Sequence, residues 1–265
     1  MKFLIDHDLH IHSCLSSCSK IPEQTAEAFL AYARKNGLKR LAVTDHFWDE
    51  RVPGASDWYK PQNFAHISGI LPLPQCEGVK LHFGCETDMD KFFTVGVSKE
   101  RLEEFDFIII PTNHLHMDGF TVSTEDNTVE SRARVFMEKN HALLDKDLPF
   151  EKIGLAHFTC GLMNKHSDGT RDEIIDLISD SEYAEFFKRA AEKGIGIELN
   201  MFLSEIASES VIRPYRIAKA CGCKFYLGSD SHRPSELDGA MARFEAIVDA
   251  LELTEDDKFI PSSMK

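Results

Sequence analysis

Two short pairs of metal-capable residues lie near opposite ends of the chain. His10 and His12 are separated by one residue, and so are Asp230 and His232. Each pair follows a short apolar run, which predicts that it lies at the end of a β-strand. Side chains in a strand alternate with a period of two, so both members of a pair point to the same face. The two pairs can hold one metal ion only if their strands are neighbours, as the first and last strands of a closed barrel are.

Other metal-capable residues follow the same pattern, because they also lie at or just beyond the ends of short apolar runs. The full set is His10, His12, His46, Glu86, His114, His157, Asp230 and His232. Imidazole and carboxylate ligands together suit zinc, manganese or iron. Any one of these residues alone could be a hydrogen-bonded structural residue, but burying so many without a cation would be costly. The set therefore predicts a metal site.

The apolar runs alternate with amphipathic segments along the chain. The predicted strands are residues 3–12, 41–46, 81–86, 107–112, 153–157, 196–200 and 225–229. The predicted helices are residues 23–35, 98–105, 130–144, 183–193 and 214–221. This alternation predicts an α/β fold with a parallel sheet, either open or closed into a barrel. In a parallel barrel all strand ends open on one face, which is where barrel active sites are built.

Two further segments have no strand or long helix assigned to them. Residues 48–78 are expected to form a long loop with a short helix, and the polar tail 252–265 is expected to lie on the surface. No linker or composition change divides the chain. A chain of 265 residues can bury a large core, and barrels of this size often form one domain, so we expect a single domain over residues 1–265.

The composition is that of a water-soluble enzyme, with 43% apolar and 28% charged residues. No apolar run approaches the roughly 20 residues that span a bilayer. The N-terminus becomes charged too early for a secretory signal. Seven cysteines, an odd number without a regular framework, indicate reduced thiols and a cytoplasmic location.

The net charge of −14 bears on the binding partner. Nucleic acid is an improbable partner, because contacts to a phosphate backbone need clustered lysines and arginines. A small phosphate ester held by metal ions remains compatible with this charge. We therefore expect a small-molecule phosphate ester as substrate and no membrane association.

These residues, in this order, resemble the PHP (polymerase and histidinol phosphatase) domain family. The resemblance rests on His10-x-His12, Thr44-Asp45-His46, Gly84-Cys85-Glu86, a histidine after the fourth strand, Ala156-His157 and Ser229-Asp230-Ser231-His232. It runs from residue 8 to about residue 234. It implies a distorted, TIM-barrel-like (β/α)7 barrel that holds two or three divalent ions and hydrolyses phosphoesters. The length and the absence of polymerase or nuclease additions look most like the histidinol-phosphatase branch.

The resemblance also implies a ligand set for each ion. One ion would be held by His10, His12, Glu86 and Asp230. Glu86 would bridge to a second ion held by His114 and His157, and a third ion would be held by His46 and His232.

Two of these positions leave alternatives open. Cys18 stands where the family usually has a histidine or aspartate ligand of the third ion. A Cys18 thiolate could bind zinc there, or Cys18 could be a small loop residue beside a weak or empty site. The ligand after the fourth strand could be His114 or His116, with His114 favoured.

The sequence departs from the family in its phosphate-binding cations. Histidinol phosphatases of this kind place arginines just after the fifth and sixth strands, but residues 158–165 and 200–205 contain no arginine and only Lys165 as a cation. Arg171, Arg213 and Arg233 are the other candidates nearby, although each could be a solvated residue at a helix start. The missing arginines weigh against histidinol phosphate as the substrate but not against phosphoester hydrolysis as the reaction.

These ligand sets together would form a metal cage. The mechanism expected from it is attack on phosphorus by a water that bridges the first two ions. Asp45, beside His46, is the candidate catalytic side chain, and it is expected to orient a ligand rather than to act as an acid; it could also be a cap or a hydrogen-bond acceptor. A small-molecule phosphomonoesterase is the favoured function. A phosphodiesterase or exonuclease acting on nucleotides and a catalytically inactive metal-binding module are the alternatives.

Overall fold

Seven parallel strands follow one another in chain order at the centre of the structure. This computed structural model describes all 265 residues. The strands are β1 (His7–Ile11), β2 (Arg40–Val43), β3 (Lys80–Glu86), β4 (Phe107–Ile110), β5 (Ile153–Leu155), β6 (Gly196–Leu199) and β7 (Lys224–Leu227). Every consecutive pair is parallel, so the predicted strand–helix alternation and the parallel arrangement are confirmed.

The barrel closes between β1 and β7, although no continuous ladder joins these two strands. At the mouth, the N–H of Asp230 donates to the carbonyl of His10 (2.8 Å). Deeper in the barrel, the N–H of Leu227 donates to Nε2 of His7 (3.0 Å), so a side chain takes the place of a backbone acceptor. The result is the distorted (β/α)7 barrel that the sequence predicts, and its first and last strands are neighbours.

Nine α-helices connect or cover the strands. They are α1 (Ala26–Asn36), α2 (Phe64–Ile67), α3 (Val129–Leu144), α4 (Arg171–Leu177), α5 (Asp180–Lys193), α6 (Leu203–Ile206), α7 (Glu209–Ala220), α8 (Pro234–Leu237) and α9 (Ala240–Ala250). Gly37 ends α1 at a φ of 72° and Gly194 ends α5 at a φ of 75°. Glycine adopts this left-handed conformation at little steric cost, which is why the sequence predicted both ends.

Two predicted helices differ from the structure. Residues 98–105 form a 3₁₀ helix over Lys99–Glu104 rather than an α-helix. The start predicted at Pro214 is wrong, because α7 begins at Glu209 and Pro214 lies inside it. The helix buries Val211 and Ile212 before it reaches the proline. Packing of that apolar face outweighs the one backbone hydrogen bond that proline removes.

The longest helix that the sequence analysis did not assign is α9. It buries Ala240, Phe244, Ile247 and Val248, which recur at the spacing of one helical face. This helix follows β7 and the short helix α8, packs against α6 and α8, and reaches the mouth of the barrel through Arg243. None of the nine helices combines the length and the apolar character that a membrane-spanning segment needs.

The C-terminal tail closes the opposite end of the barrel, so its expected position on the surface is wrong. Phe259 and Met264 are buried in a small apolar cluster with interior strand residues such as Leu9 and Phe107. The N–H of Phe259 donates to the carbonyl of Phe225 near the start of β7 (2.8 Å). The tail therefore plugs the N-terminal ends of the strands, and the C-terminal ends are left free for polar side chains.

Candidate metal centre

All nine sequence-predicted ligands meet at the C-terminal ends of the strands, where they form three overlapping groups. Group 1 is His10, His12, Glu86 and Asp230, group 2 is Glu86, His114 and His157, and group 3 is His12, Cys18, His46 and His232. The ligand atoms within each group lie within 4.8 Å of one another. His12 reaches group 3 as well as group 1, which the ligand sets implied by the sequence did not include.

The geometry of group 1 fits a tetrahedral ion. The Nε2 atoms of His10 and His12 are 3.1 Å apart. They lie 3.3 and 3.1 Å from Oδ1 of Asp230 and 3.5 and 3.3 Å from Oε2 of Glu86. An ion with bonds of about 2.0–2.1 Å would separate tetrahedral ligand atoms by about 3.3–3.4 Å. The five distances therefore match a cage built around one ion such as zinc.

Glu86 faces group 1 and group 2 with different oxygens. While Oε2 belongs to group 1, Oε1 lies 3.3 Å from Nε2 of His157 and 3.9 Å from Nε2 of His114. The side chain is 1% exposed, at the last position of β3. A buried carboxylate with one oxygen in each group has the placement of a bridging ligand.

The histidine rings of groups 1 and 2 are held by acceptors on their far side. Nδ1 of His10 lies 2.7 Å from Glu198, and Nδ1 of His114 lies 3.1 Å from Asp88. Nδ1 of His157 lies 3.2 Å from the side-chain oxygen of Asn113. Such partners fix the tautomer and the ring orientation, so that Nε2 of each ring is left for a metal ion.

The same kind of support reaches His12 through two residues. Its Nδ1 lies 2.9 Å from the hydroxyl of Ser16, and that hydroxyl donates to Oδ1 of Asp45 (2.7 Å). Asp45 also accepts from the backbone and the hydroxyl of Ser13 (2.7 and 2.6 Å). The oxygens of Asp45 are occupied by three donors of the loop after β1, which fits the expectation that this side chain orients a ligand rather than acts as an acid.

Glu198 is the residue of this centre that the sequence analysis missed. It is wholly buried; Oε1 contacts His10, and Oε2 accepts from the N–H of His157 (2.6 Å). One carboxylate therefore ties group 1 to group 2. Its fit is tight, because a Cβ on Gly228 would lie 2.0 Å from Oε1 of Glu198. The available signal was a charged residue in the middle of the predicted strand 196–200.

Two ligands have a backbone conformation that residues other than glycine seldom adopt. His157 has a φ of 24° and Asp230 a φ of 52°. Each such conformation costs on the order of 1–3 kcal/mol and persists only where its surroundings enforce it. The hydrogen bonds from His157 to Glu198 and from Asp230 to the carbonyl of His10 do so here. Strain at these two positions indicates that the fold aims both side chains into the cage.

Group 3 contains a buried nitrogen without a hydrogen-bond partner. Nδ1 of His46 lies 3.0 Å from Oε2 of Glu86, but the arrangement is not that of a hydrogen bond. Nδ1 of His232 contacts the carbonyl of Asp230 (2.8 Å), which leaves its Nε2 free. A buried imidazole nitrogen without a hydrogen-bond partner is available to bind a cation.

Cys18 completes group 3, although part of its side chain reaches solvent. Desolvation of the thiol, followed by the charges of Glu86 and Asp230, raises the pKa of Cys18. A thiolate at this position therefore needs a bound cation. The structure brings Cys18 within reach of the third site, and its role as a ligand stays a prediction.

The charges of group 1 favour a cation strongly. Burial alone lowers the pKa of His10 and His12, but the surrounding carboxylates outweigh it: the pKa of His10 is raised well above its usual range and that of His12 to about 9. Burial raises the pKa of Glu86, and the imidazoles reverse this and hold it well below its usual range. Without a metal ion the cage is thus neutralised by protons on its histidines, which an ion would displace.

The structure distinguishes between the two histidines after β4. His114 belongs to group 2, whereas His116 belongs to no group. Burial lowers the pKa of His116 to about 4, followed by the charge of His114. His116 instead lines a cavity beside the cage.

Two cavities open on the cage from different sides. The first, of about 690 Å³, is called the β5–β7 cavity and is lined by His157, Asn200, Phe202, Tyr215, Asp230, His232 and Arg243, among others. The second, of about 530 Å³, is called the aromatic cavity and is lined by His46, Trp58, Tyr59, Glu86, His114, Phe120 and Asp230, among others. Asp230 and His232 line both cavities, so a ligand in either one would contact the cage.

Two of the predicted substrate-binding cations are held elsewhere. Arg213 lies in the outer helical layer, where it donates to Asp180 (2.6 Å) and to backbone carbonyls. Arg171 is bound by Glu205 and by Asp172 (2.9 Å). Neither arginine lines a cavity. This placement does not support the expected contact of Arg171 and Arg213 with substrate, because both guanidinium groups are already paired with carboxylates.

The remaining two predicted cations also lie outside the cavities. Arg233 pairs with Glu236 (3.2 Å) and is largely exposed, so its expected role is corrected for the same reason. Lys165 is exposed in the loop after β5. It is close enough to His116 to lower the pKa of that residue, and substrate contact by Lys165 stays a prediction.

The fold and the three groups together define a (β/α)7 barrel with a multi-ligand metal cage at its mouth. Among solved structures, the chain is similar to histidinol phosphate phosphatase from Lactococcus lactis subsp. lactis, which was solved with zinc, L-histidinol and phosphate. The identity is 19%, the match covers 98% of each chain, and the TM-score is 0.63. The TIM-barrel-like (β/α)7 fold expected from the sequence is thereby confirmed.

A second solved structure resembles the chain only weakly. A chain of archaeal ribonuclease P matches at 12% identity over 92% of this chain and 91% of that one, but its TM-score of 0.36 is too low to support an argument. No protein-family model and no curated protein matches the sequence.

Proposed function

We propose that the protein is a metal-dependent phosphoesterase that hydrolyses a small phosphomonoester. The observation that carries this proposal is the division of the Glu86 carboxylate between groups 1 and 2 at the open end of the barrel. Two adjacent cation sites that share one carboxylate suit the attacking and leaving oxygens of a phosphoryl transfer. Both cavities end at this cage, so a substrate can reach it.

The donor atoms support zinc as the resident metal, with manganese or iron as alternatives. We propose two to three ions, with groups 1 and 2 holding the first two. Bound divalent ions would supply Lewis acidity and a water acidic enough to ionise near neutral pH. The chain itself supplies the negative charge that holds them, the outer partners that orient each ring, and two cavities that shield the reacting atoms from bulk water.

Histidinol phosphate is one candidate substrate. The aromatic cavity offers flat apolar walls to a leaving group: Trp58 meets the ring of His46 edge to face at 4.9 Å, and Tyr59 and Phe120 lie beside them. The similar phosphatase from Lactococcus lactis binds L-histidinol and phosphate. The absence of arginines in segments 158–165 and 200–205 weighs against an identical phosphate site.

The alternatives have less support. A nucleotide phosphodiesterase or exonuclease would use a basic surface, and the net charge is −14. An inactive metal-binding module would not need a complete set of oriented ligands. The seven free cysteines support a reducing compartment such as the cytoplasm.

The test is a phosphate-release screen on protein loaded separately with zinc, manganese and iron. Substrates include histidinol phosphate, other small phosphomonoesters, phosphodiesters and short oligonucleotides, and Glu86→Gln serves as the inactive control. We expect release from monoesters that a chelator abolishes. Release from diesters alone would support the phosphodiesterase. No release at full metal stoichiometry would support the binding module.

A further inference from the structure

Arg243 occupies a distinctive place beside the metal cage. It lies on α9, and its guanidinium is held between the carbonyl of Ser229 (3.3 Å from Nη2) and the ring of Phe202 (5.1 Å from Cζ to the centroid). The side chain is 9% exposed. Arg243 is the only lysine or arginine that lines either cavity.

The charge of Arg243 has no counter-ion in the protein. No carboxylate oxygen lies within 4.0 Å of its guanidinium, and the carbonyl of Ser229 occupies only one of its five N–H groups. None of its nitrogen atoms is both fully buried and without a partner, so the free donors keep some accessible surface, and the residue lines the β5–β7 cavity. Leaving a mostly buried guanidinium uncompensated is costly, which indicates that an anion completes the site.

The nearby carboxylates do not supply that anion. Glu205 and Glu236 also line the β5–β7 cavity. Glu205 is bound by Arg171, while Glu236 accepts from the N–H of His232 (2.7 Å) and pairs with Arg233. Arg171 and Arg233 thus pair with Glu205 and Glu236. The third carboxylate of the cavity, Asp230, contacts His10 and His12, and Arg243 remains available.

A second unsatisfied donor lies in the same cavity. The side-chain nitrogen of Asn200, just after β6, is buried and has no hydrogen-bond partner. A buried amide donor without a partner costs free energy unless a ligand accepts from it. Arg243 on α9 and Asn200 just after β6 therefore both line the cavity that Asp230 and His157 also line, and each side chain has N–H groups without a partner in the protein.

We propose that Arg243 and Asn200 form the oxyanion-binding side of the active site and hold the non-bridging oxygens of the substrate phosphoryl group. The inference rests on the proposed function and deepens it. Ser229, which anchors Arg243, immediately precedes the candidate ligand Asp230, so the guanidinium is fixed next to group 1. A guanidinium donates to two oxygens of one phosphate at once, which adds orientation to charge. Arg243 thereby supplies the arginine that the segments after β5 and β6 lack.

The experiment compares wild type with Arg243→Met, Arg243→Lys and Asn200→Ala. Arg216→Met is the matched control, because Arg216 lies on α7, is mostly exposed and pairs with Glu209 (2.6 Å). The measurements are KM and kcat for the best phosphomonoester, the inhibition constant of inorganic phosphate, and bound metal. For Arg243→Met we expect KM and the inhibition constant to rise about 10- to 100-fold with metal content unchanged. Arg243→Lys should recover part of the loss, and Arg216→Met should match wild type.

Several results would overturn the inference and would leave the proposed function standing. One is an active wild type whose KM and phosphate inhibition are unchanged in both Arg243→Met and Asn200→Ala. Another is a loss of bound metal in Arg243→Met that accounts for its loss of phosphate affinity, which would make Arg243 a support of the Ser229 backbone. Should Arg243→Met fail to fold, Arg243→Lys and Asn200→Ala decide by the same measurements.

Failure of the proposed function is recognised separately, because wild type would then hydrolyse no phosphomonoester. Calorimetric titration of inorganic phosphate into the zinc-loaded proteins tests the inference in that case. Weaker binding to Arg243→Met and Asn200→Ala than to wild type and Arg216→Met would support an oxyanion site without hydrolysis. Equal binding to all four proteins would reject it.

Discussion

Oε1 of Glu198 lies 2.7 Å from Nδ1 of His10, and both side chains are wholly buried. The other oxygen of Glu198 accepts from the N–H of His157, which is held at a positive φ. One carboxylate beneath the cage therefore orients a ring of group 1 and fixes the backbone of a ligand of group 2. The two candidate ion sites are thus coupled from below by Glu198 as well as from above by Glu86.

This coupling predicts that Glu198→Gln weakens both sites without unfolding the protein. The amide can keep one hydrogen bond, but it cannot supply the charge that holds His10 in place. Loss of such a partner typically lowers metal affinity or activity about 10- to 100-fold. Zinc competition with a chelator of known affinity measures the effect, and Glu185→Gln on the exposed face of α5 is the control. Wild-type zinc affinity in Glu198→Gln would show that Glu198 is not needed to orient the ligands.

Substitutions of Glu86 and of Asp230 should lower the number of bound metal ions by different amounts. Glu86 belongs to groups 1 and 2, whereas Asp230 belongs to group 1 alone. Glu86→Gln should therefore lose ions from two groups, and Asp230→Asn from one. Phosphoester hydrolysis should fall to background in both variants, because each loses part of the cage that orders the nucleophile and the phosphoryl group.

Elemental analysis of metal-replete protein distinguishes these outcomes. Asp238→Asn is the matched control, since Asp238 is exposed and pairs only with Lys35 on the surface (3.4 Å). Equal losses in Glu86→Gln and Asp230→Asn would contradict a bridging role for Glu86. Near-normal turnover in either variant would show that the cage is not the catalytic centre.

The clustering of the candidate ligands was predictable because few residue types bind metals and these residues follow apolar runs. Histidines and carboxylates at the ends of apolar runs are conspicuous, and the period of two fixes which face they share. The resemblance to the PHP family then predicted how the ligands divide among the ions. Closure of β1 onto β7 was also predictable, because only neighbouring strands could bring the pair at 10 and 12 to the pair at 230 and 232.

The supporting residues were not found because their roles depend on distances across the barrel. Glu198 and Asn200 are two residues apart in a predicted strand and so share one face, but nothing in the local pattern shows that Glu198 reaches His10. Arg243 depends on a helix that was not assigned and on its packing at the mouth. Arg171 and Arg213 were favoured by chain proximity, and partners distant in sequence neutralise them.

The buried Lys139 predicts a stability change at alkaline pH. Burial lowers its pKa to about 8, against the charges of Asp88 and Asp90, and its ammonium donates to the carbonyls of Met89 and Thr121. Between about pH 8 and the unfolded-state value of 10.5 the unfolded chain binds the extra proton. The free energy of unfolding should therefore rise with pH across this window, by up to about 3 kcal/mol.

Urea unfolding at several pH values tests this prediction. Lys139→Met should lack this increase, and Lys188→Met, exposed on α5, should keep it. Comparing the two variants removes the contribution of every other titrating group. The same pH slope in both would show that Lys139 is not shifted. Because Lys139→Met also leaves two carbonyls without a donor, the slope is the informative quantity and the absolute stability is not.

Substitution of Cys18 tests whether its thiolate holds a zinc ion in the third site. If it is a ligand, Cys18→Ala should lose one zinc ion, and Cys18→His should keep it, because imidazole can replace thiolate beside His46 and His232. The raised pKa of the thiol means that a thiolate would form there only with a cation bound. Wild-type Cys18 should then resist alkylation in the zinc-loaded protein and react after chelation. Equal zinc content in wild type and Cys18→Ala, with ready alkylation of the loaded protein, would show that Cys18 is a loop residue and not a ligand.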